Sequence, residues 1–89
     1  MAWRVEFSKG AQKDIAKLDP AGRDRVLRFL SDRVQDSDDP RRLGEPLKGP
    51  IAGRYWKYRV GDYRLVCDLQ DRLLLVLVVR VGHRREIYR

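Results

Sequence analysis

The second half of the chain restricts the fold more than any other feature. Three strand-like segments follow one another closely, at residues 54–60, 63–69 and 73–81. Gly61-Asp62 separates the first two, and a glycine at the first turn position suits a two-residue hairpin loop with positive φ. Asp71-Arg72 separates the second pair. The run Leu73–Val79 is apolar on both faces, which predicts a buried central strand in an antiparallel sheet.

The first half predicts one short strand and two helices. Residues 2–7 alternate apolar and polar side chains, as a strand does. Ser8 is placed to cap a helix whose apolar residues recur at helical spacing, and Asp19-Pro20 ends that helix and begins a second one through about residue 35. Residues 36–53 predict an irregular connection pinned by Leu43, Leu47 and Ile51, and residues 86–88 a further short strand. The predicted fold class is α+β, with the order β-α-α-β-β-β(-β) and the helical hairpin on one face of the sheet.

Length and cysteine content limit the kind of protein. A chain of 89 residues is one domain, spanning 1–89, with no room for a separate cofactor domain. The single cysteine, Cys67, excludes an internal disulfide and any thiolate zinc cluster. The longest apolar run is too short to cross a membrane. We therefore expect a cytoplasmic protein that does not associate with membranes.

Most familiar catalytic motifs are absent from the sequence. His83 is the only histidine, and the acidic residues of the sheet half are too scattered for a two-metal site. There is neither a glycine-rich phosphate loop nor a nucleophile elbow. An enzyme of this sequence has to work with Lys, Arg, Tyr and at most one His, without a metal or other cofactor.

The charge of the chain is concentrated in its second half. The whole chain has a net charge of +7. Residues 1–45 carry ten basic and nine acidic side chains, whereas residues 46–89 carry ten basic and four acidic ones. The net charges are therefore +1 and +6. Such asymmetry indicates a polyanionic partner: RNA, DNA or an acidic protein.

Strand alternation predicts which side chains share a face. A two-residue turn at Gly61-Asp62 pairs Arg59 with Arg64 and Lys57 with Val66, so that three cations crowd one patch. Opposed like charges destabilise a sheet, which favours a phosphate site at this patch over side chains that merely reach into water. On the opposite face Trp56 pairs with Cys67, and we expect both to be buried under the helices.

Two segments resemble the RelE family of the RelE/ParE toxin superfamily. They are Tyr58-Arg59-Val60-Gly61-Asp62-Tyr63-Arg64-Leu65-Val66 and Arg80-Val81-Gly82-His83-Arg84-Arg85-Glu86-Ile87-Tyr88. The resemblance covers nearly the whole chain, and the two segments together are specific. It implies a type II toxin that enters the A site of the 70S ribosome and cleaves the bound mRNA. It also implies a cognate acidic antitoxin similar to RelB, with which the toxin forms a hetero-oligomer.

The resemblance assigns roles to individual residues. It places the catalytic groups at Lys57, Arg64, Arg84 and Tyr88. The basic residues expected to bind RNA or phosphate are Arg59, His83, Arg85, Lys48 and Arg54. Two positions depart from the pattern of other members: Tyr55 stands where some have a second lysine, and His83 where lysine is common.

The chemistry expected of these residues is RNA self-cleavage by attack of a 2′-OH on the adjacent phosphorus. It requires removal of the 2′-OH proton, neutralisation of the phosphate oxygens and protonation of the 5′-oxygen. Lys57 and Tyr88 are alternative proton acceptors, and Arg64 and Arg84 would hold the phosphate. Two other functions remain open from sequence: a ParE-like toxin that inhibits DNA gyrase, and a nucleic-acid-binding module without catalysis.

Overall fold

The computed structural model describes residues 3–48 and 53–86. Its first strand, two helices and last three strands follow the predicted order, and one unpredicted short strand comes before those three. The strands are β1 (Arg4–Phe7), β2 (Glu45–Pro46), β3 (Tyr55–Val60), β4 (Tyr63–Gln70) and β5 (Leu75–His83). The helices are α1 (Lys9–Ala16) and α2 (Pro20–Phe29), and α2 continues into a π-helical turn at Leu30–Val34. Short 3-10 turns lie at Pro40–Leu43 and Asp71–Leu73. None of the helices in these two described ranges is long and apolar enough to cross a membrane.

The five strands form one sheet in the order β1-β5-β4-β3-β2. The α+β prediction is confirmed. β5 lies inside the sheet, between β1 and β4, but the central strand is β4 and not β5 as predicted. The sheet is not purely antiparallel, however, because β1 runs parallel to β5. A hairpin forces antiparallel pairing only on the strands that it joins. Residues 8–74 separate β1 from β5, so no turn fixes the direction in which these two strands pair.

The hairpin between β3 and β4 has the predicted register. Val60 pairs with Tyr63, Arg59 with Arg64 and Lys57 with Val66. Gly61 has φ 60°, in the left-handed region where a residue with a Cβ atom is strained. The two-residue turn therefore sets both the register and the face of every side chain in this hairpin.

The connection between β4 and β5 differs from the prediction. In place of a two-residue turn at Asp71-Arg72, a 3-10 turn spans Asp71–Leu73 and Leu74 follows with φ 48°. The strand therefore starts at Leu75 and not at residue 73, and Leu73 and Leu74 are exposed. The prediction placed the first two residues of the apolar run in the strand because they are hydrophobic. No glycine or proline near them marks the end of the turn.

A side-chain cap explains where α1 begins, whereas Asp19, at the N-cap position of α2, bonds to the sheet instead. The Ser8 side chain accepts a hydrogen bond from the Ala11 N–H, as predicted. The Asp19 side chain caps nothing; its carboxylate accepts the Tyr63 hydroxyl at 2.9 Å, and this bond is the main reason that the pKa of Tyr63 is raised. Asp19 thus ties the junction between the two helices to β4.

The core lies between the helices and one face of the sheet. Ala11, Val26, Leu30 and Val34 from the helical half pack against alternate residues of β3, β4 and β5. Tyr58, Leu65, Cys67 and Val76 are fully buried within that face. Trp56 lies on this face as predicted but is only half-buried, and its indole N–H donates to the Arg41 carbonyl at 2.9 Å.

The irregular connection has more order than its sequence predicts. Pro40–Leu43 forms a 3-10 turn, and β2 pairs antiparallel with the far side of β3. Leu47 donates its N–H to the Tyr55 carbonyl, whereas Ile51 is outside the described residues. The short strand predicted at residues 86–88 is not seen at Glu86, which lies in a turn, and its other two residues are outside the described ranges.

The buried thiol of Cys67 should make the stability of the protein depend on pH. Burial raises the pKa of Cys67 well above its usual value of 9.0, because a thiolate is poorly solvated in the core. The unfolded chain therefore loses the thiol proton above pH 9 while the folded chain keeps it, so that stability falls as pH rises. We expect this group alone to lower the free energy of unfolding by about 1.4 kcal/mol between pH 8 and pH 10.

Urea unfolding of the protein and of Cys67→Ala at pH 8 and pH 10 checks this expectation. The variant should be less stable at pH 8, because it leaves a cavity, yet should lose less stability between the two pH values. Equal losses of stability in the two proteins would show that the Cys67 thiol ionises as readily in the folded chain as in the unfolded chain.

Candidate active site

A cleft lies on the sheet face that points away from the helices. Its volume is about 470 Å³, and it lies along the β2, β3 and β4 side of the sheet. Eight residues line the cleft, of which four are cationic and one is acidic. They are Arg42, Leu43, Gly44, Glu45, Lys57, Tyr58, Arg59 and Arg64. A concave, mainly cationic surface of this kind suits a phosphate group.

Three of the lining cations are those that the hairpin register predicted. Lys57 and Arg59 alternate along β3, and Arg64 is directly opposite Arg59 on β4. Paired positions on one face bring Cβ atoms to about 5 Å, and like charges at such positions destabilise a sheet. The fold therefore holds a concentration of positive charge that an anion in the cleft would relieve.

The turn between β3 and β4 positions one of the cleft arginines, Arg64. The Arg64 Nη1 donates to the carbonyls of Gly61 and Tyr63, each at 2.9 Å. These bonds fold the guanidinium back over the turn. Because carbonyls hold one end of the group, its remaining N–H donors stay available at the cleft.

Arg84 reaches the same turn from β5. Its backbone N–H donates to the Asp62 carbonyl at 2.8 Å, and its Nε lies 3.9 Å from the Asp62 Oδ1. Gly82, two residues earlier, pairs with Arg64 in the sheet. Arg84 is thus brought to the end of the sheet where Arg64 is anchored, although it does not itself line the cleft, and its side chain is half exposed.

Glu45 is a charged residue of the cleft that sequence analysis did not identify. It pairs with Lys57 across β2 and β3, and its Oε2 lies 3.7 Å from the Lys57 Nζ. No local pattern marks it, because β2 has two residues and lies within a segment rich in proline and glycine. Arg42 also lines the cleft and was not predicted.

The remaining predicted binding residues fall into different surroundings. His83 ends β5 beside the Tyr63 ring, with centroids 6.3 Å apart, and its Nδ1 accepts the Arg85 backbone N–H at 3.2 Å. Arg85 is exposed in the following turn, and Lys48 is exposed just after β2. Tyr88, the predicted C-terminal catalytic residue, is outside the described residues.

Arg54 has a close partner that the sequence did not predict. Its guanidinium donates to both Asp68 oxygens, at 2.9 and 3.2 Å, and lies over the Tyr55 ring. Hydrogen bonding to Asp68 raises the pKa of Arg54. Because Asp68 is buried, this bidentate pair fixes the start of β3 and leaves Arg54 less available to RNA than the cleft cations.

Comparison with known proteins identifies the family. A family profile described as "ParE toxin of type II toxin-antitoxin system, parDE" matches residues 5–88. Toxin RelG of Mycobacterium tuberculosis is 36% identical over 89 residues, covering 100% of this chain and 99% of that protein. The chain belongs to the RelE family of type II toxins.

Further relatives of this RelE-family toxin agree in sequence and in structure. The mRNA interferase toxin RelE of Escherichia coli K12 is 31% identical over 90 residues, covering 99% of this chain and 92% of that protein. The toxin–antitoxin complex RelBE2 of M. tuberculosis contains a chain with a TM-score of 0.80 and 33% identity, with 94% of this chain and 100% of that chain covered. The resemblance to the RelE family and its fold are thereby confirmed.

Gly44 packs so closely against β3 at the cleft that a larger residue should not fit there. A Cβ atom at this position would overlap the Lys57 carbonyl and lie 2.7 Å from the Tyr58 Cδ1. Because a backbone carbonyl cannot move aside cheaply, Gly44→Ala should push the segment before β2 and strand β3 apart. We expect a loss of roughly 1–3 kcal/mol in the free energy of unfolding, as for other overpacked sites.

Gly10→Ala is the matched control for Gly44→Ala. Its new Cβ would meet the Val79 carbonyl at an ordinary 3.6 Å, and alanine favours a helix. It should leave stability unchanged or raise it by up to about 1 kcal/mol. Urea denaturation of both variants checks the pair, and equal stability of Gly44→Ala and the unchanged protein would contradict the packing described for β3.

Proposed function

We propose that the cleft binds the phosphate backbone of mRNA in the ribosomal A site and cleaves it. The observation that carries this proposal is the convergence of Lys57, Arg59 and Arg64 on one concave surface. It is supported by the similarity of the chain to a toxin named as an mRNA interferase, RelE of E. coli K12. Neutralisation of phosphate charge by preorganised cations is the principal requirement of such a reaction.

The proposed reaction needs no group from outside the RNA and the toxin. The 2′-OH attacks the adjacent phosphorus, its proton passes to a base, and the 5′-oxygen leaves with a proton from an acid. The phosphorus–oxygen bond to the 5′ side breaks as the new bond forms, which leaves a 2′,3′-cyclic phosphate on the upstream fragment. Each of these steps is a proton transfer or a charge stabilisation that amino-acid side chains perform.

The residues of the cleft divide these tasks in our proposal. Arg64, held by two carbonyls, presents its free N–H donors to the phosphate oxygens. Lys57 acts next to it, either as the proton acceptor or as a second charge on the phosphate, and its ion pair with Glu45 holds it along the cleft. Arg84 lies at the turn between β3 and β4, near Arg64. Tyr88, which is outside the described residues, is the alternative proton acceptor.

We also propose that a RelB-like acidic antitoxin neutralises the toxin in a hetero-oligomer. The second half of the chain has a net charge of +6, from ten basic and four acidic residues, and a cationic cleft needs an acidic cover. The solved relatives include a toxin–antitoxin complex, RelBE2. The antitoxin is expected to lie over the region that begins at Arg84 and to block access of RNA to the cleft.

Translating ribosomes with an end-labelled mRNA test the proposed function. Site-specific cuts in the mRNA, found only when the toxin and the ribosome are both present, are the expected result. The matching family profile names a ParE toxin, so the same preparation is also tested with gyrase and supercoiled DNA. Gyrase-dependent DNA breaks with intact mRNA would replace this proposal by gyrase inhibition, and binding without either reaction would indicate a nucleic-acid-binding module.

A further inference from the structure

The first strand, β1, lies at the edge of the sheet and is paired on one side. In the strand order β1-β5-β4-β3-β2 its only neighbour is β5, and no other strand formed by residues 3–48 and 53–86 reaches its second side. Such an edge offers backbone N–H and C=O groups to a strand of another chain. We call this outer side of Arg4–Phe7 the β1 edge.

Hydrogen bonds show which backbone groups point out of the β1 edge. The Arg4 N–H donates to the Leu74 carbonyl at 2.8 Å, so the backbone groups of Arg4 face β5. Since successive residues of a strand turn these groups to opposite sides, those of Val5 and Phe7 point away from the sheet. The Phe7 carbonyl accepts the Gln12 side chain at 3.1 Å, which leaves the groups around Val5 for a further strand.

The side chains of β1 divide between the two faces of the sheet. Val5 and Phe7 are half-buried and pack against the core. Arg4 and Glu6 lie on the other face, where their side chains are 64% and 54% exposed and the Arg4 Nη2 lies 3.8 Å from the Glu6 Oε2. The β1 edge therefore carries one positive and one negative side chain, placed symmetrically on either side of Val5.

We propose that the β1 edge is a self-association surface, at which β1 of a second copy of this chain pairs antiparallel around a two-fold axis at Val5. This axis places Arg4 of each copy opposite Glu6 of the other, and Val5 opposite Val5 of the second copy. Opposite charges that face each other across antiparallel strands stabilise the pair, and the two-fold axis repeats the contact. The two Val5 residues exchange both of their backbone hydrogen bonds.

Charge selects this register over the neighbouring one. Residues whose backbone groups point outward have to lie opposite each other, so the next possible two-fold axis passes through Glu6. That axis sets two glutamates directly opposite each other, which destabilises a sheet. It also uses the Phe7 carbonyl, which the Gln12 side chain already occupies.

The same charges favour a second copy over a strand of an acidic partner. An acidic strand would meet Arg4 favourably but would also face Glu6, whereas a second copy satisfies both positions. The strand has only four residues, so the interface is small and the association is weak and dependent on concentration.

Self-association at the β1 edge leaves the cleft open. The cleft lies along the β2, β3 and β4 side of the sheet, at the other end of the strand order. Two copies would form one continuous sheet, to which each contributes its five strands, with the same face of both copies on the same side. The inference therefore does not depend on the proposed function of the cleft.

The test measures dimerisation of the full chain by sedimentation velocity, from micromolar to millimolar concentration at low salt. Arg4→Glu and Glu6→Arg each place like charges opposite each other, and each alone should weaken the dimer roughly tenfold. An equimolar mixture of these two proteins should dimerise again, because every cross-strand pair then joins opposite charges.

Matched controls come from an exposed ion pair outside β1. Arg28→Glu and Asp24→Arg reverse the pair on α2 and make the same changes of net charge. They should leave dimerisation within about twofold of the unchanged protein, alone and mixed, because exposed ion pairs contribute little. Circular dichroism checks that every variant is folded.

Several results would overturn the proposal. The unchanged protein would remain monomeric at every concentration, or its dimer would survive both β1 variants, or the mixture would dimerise no better than either variant alone. A synthetic peptide of alternating glutamate and valine serves as the competing occupant. A monomeric protein that binds this peptide through the β1 edge would assign the edge to an acidic partner strand and not to a second copy.

Discussion

Arg64→Ala is expected to slow cleavage of ribosome-bound mRNA by about 100- to 1000-fold, the usual effect of removing one charge-stabilising donor from an active site. Arg64 lines the cleft, and two carbonyl groups hold its guanidinium in place. The variant should fold normally, because the side chain is not part of the core. Single-turnover cleavage with excess toxin measures the rate of the chemical step.

Arg72→Ala is the control for this prediction. Arg72 is an exposed arginine in the turn between β4 and β5, outside the cleft, and its loss removes the same charge. Its cleavage rate should stay within about twofold of the unchanged protein, the change that roughly 0.5 kcal/mol at a surface site allows. Equal rates for Arg64→Ala and Arg72→Ala would mean that net charge, and not the cleft, governs the reaction.

Tyr58→Ala is expected to lower the free energy of unfolding by about 3–5 kcal/mol, as for other large aromatic residues removed from a core. Tyr58 is completely buried, its ring contacts Phe29 at 5.6 Å between centroids, and its hydroxyl donates to the Pro40 carbonyl at 2.8 Å. The substitution removes both the packing and the hydrogen bond. Equilibrium unfolding in urea measures the loss.

Two variants separate the contributions of Tyr58. Tyr58→Phe keeps the ring and leaves the Pro40 carbonyl without its donor, which should cost roughly 1–3 kcal/mol. Trp56→Ala, on the same face, should cost less than Tyr58→Ala because Trp56 is only half-buried. A larger loss in Trp56→Ala than in Tyr58→Ala would contradict the position of the core described for β3.

The parts of the fold that sequence predicted are those that local chemistry determines. Gly61 permits the tight turn, and the turn fixes the pairing of Arg59 with Arg64. Ser8 caps α1 through a bond to a residue three positions away. The parallel pairing of β1 with β5 depends on contacts across more than 70 residues, for which the sequence carries no local signal.

In the candidate site, too, the residues predicted correctly are those that local sequence places together. Lys57, Arg59 and Arg64 were placed together correctly because one hairpin positions all three. Glu45 was missed because it comes to Lys57 from a separate two-residue strand. The bond between Arg54 and Asp68 was missed because alternation along a strand does not show which partner a long side chain selects.

The 3′ end of the upstream mRNA fragment tests most directly the claim that the cationic cleft promotes attack by the 2′-OH. Ribosomes stalled with a defined A-site codon are treated with the toxin, and the fragment ends are analysed by mass spectrometry. A 2′,3′-cyclic phosphate, together with its loss in mRNA that carries a 2′-deoxy nucleotide at the cut site, is the predicted result. A free 3′-hydroxyl, or undiminished cleavage of the 2′-deoxy mRNA, would contradict the account.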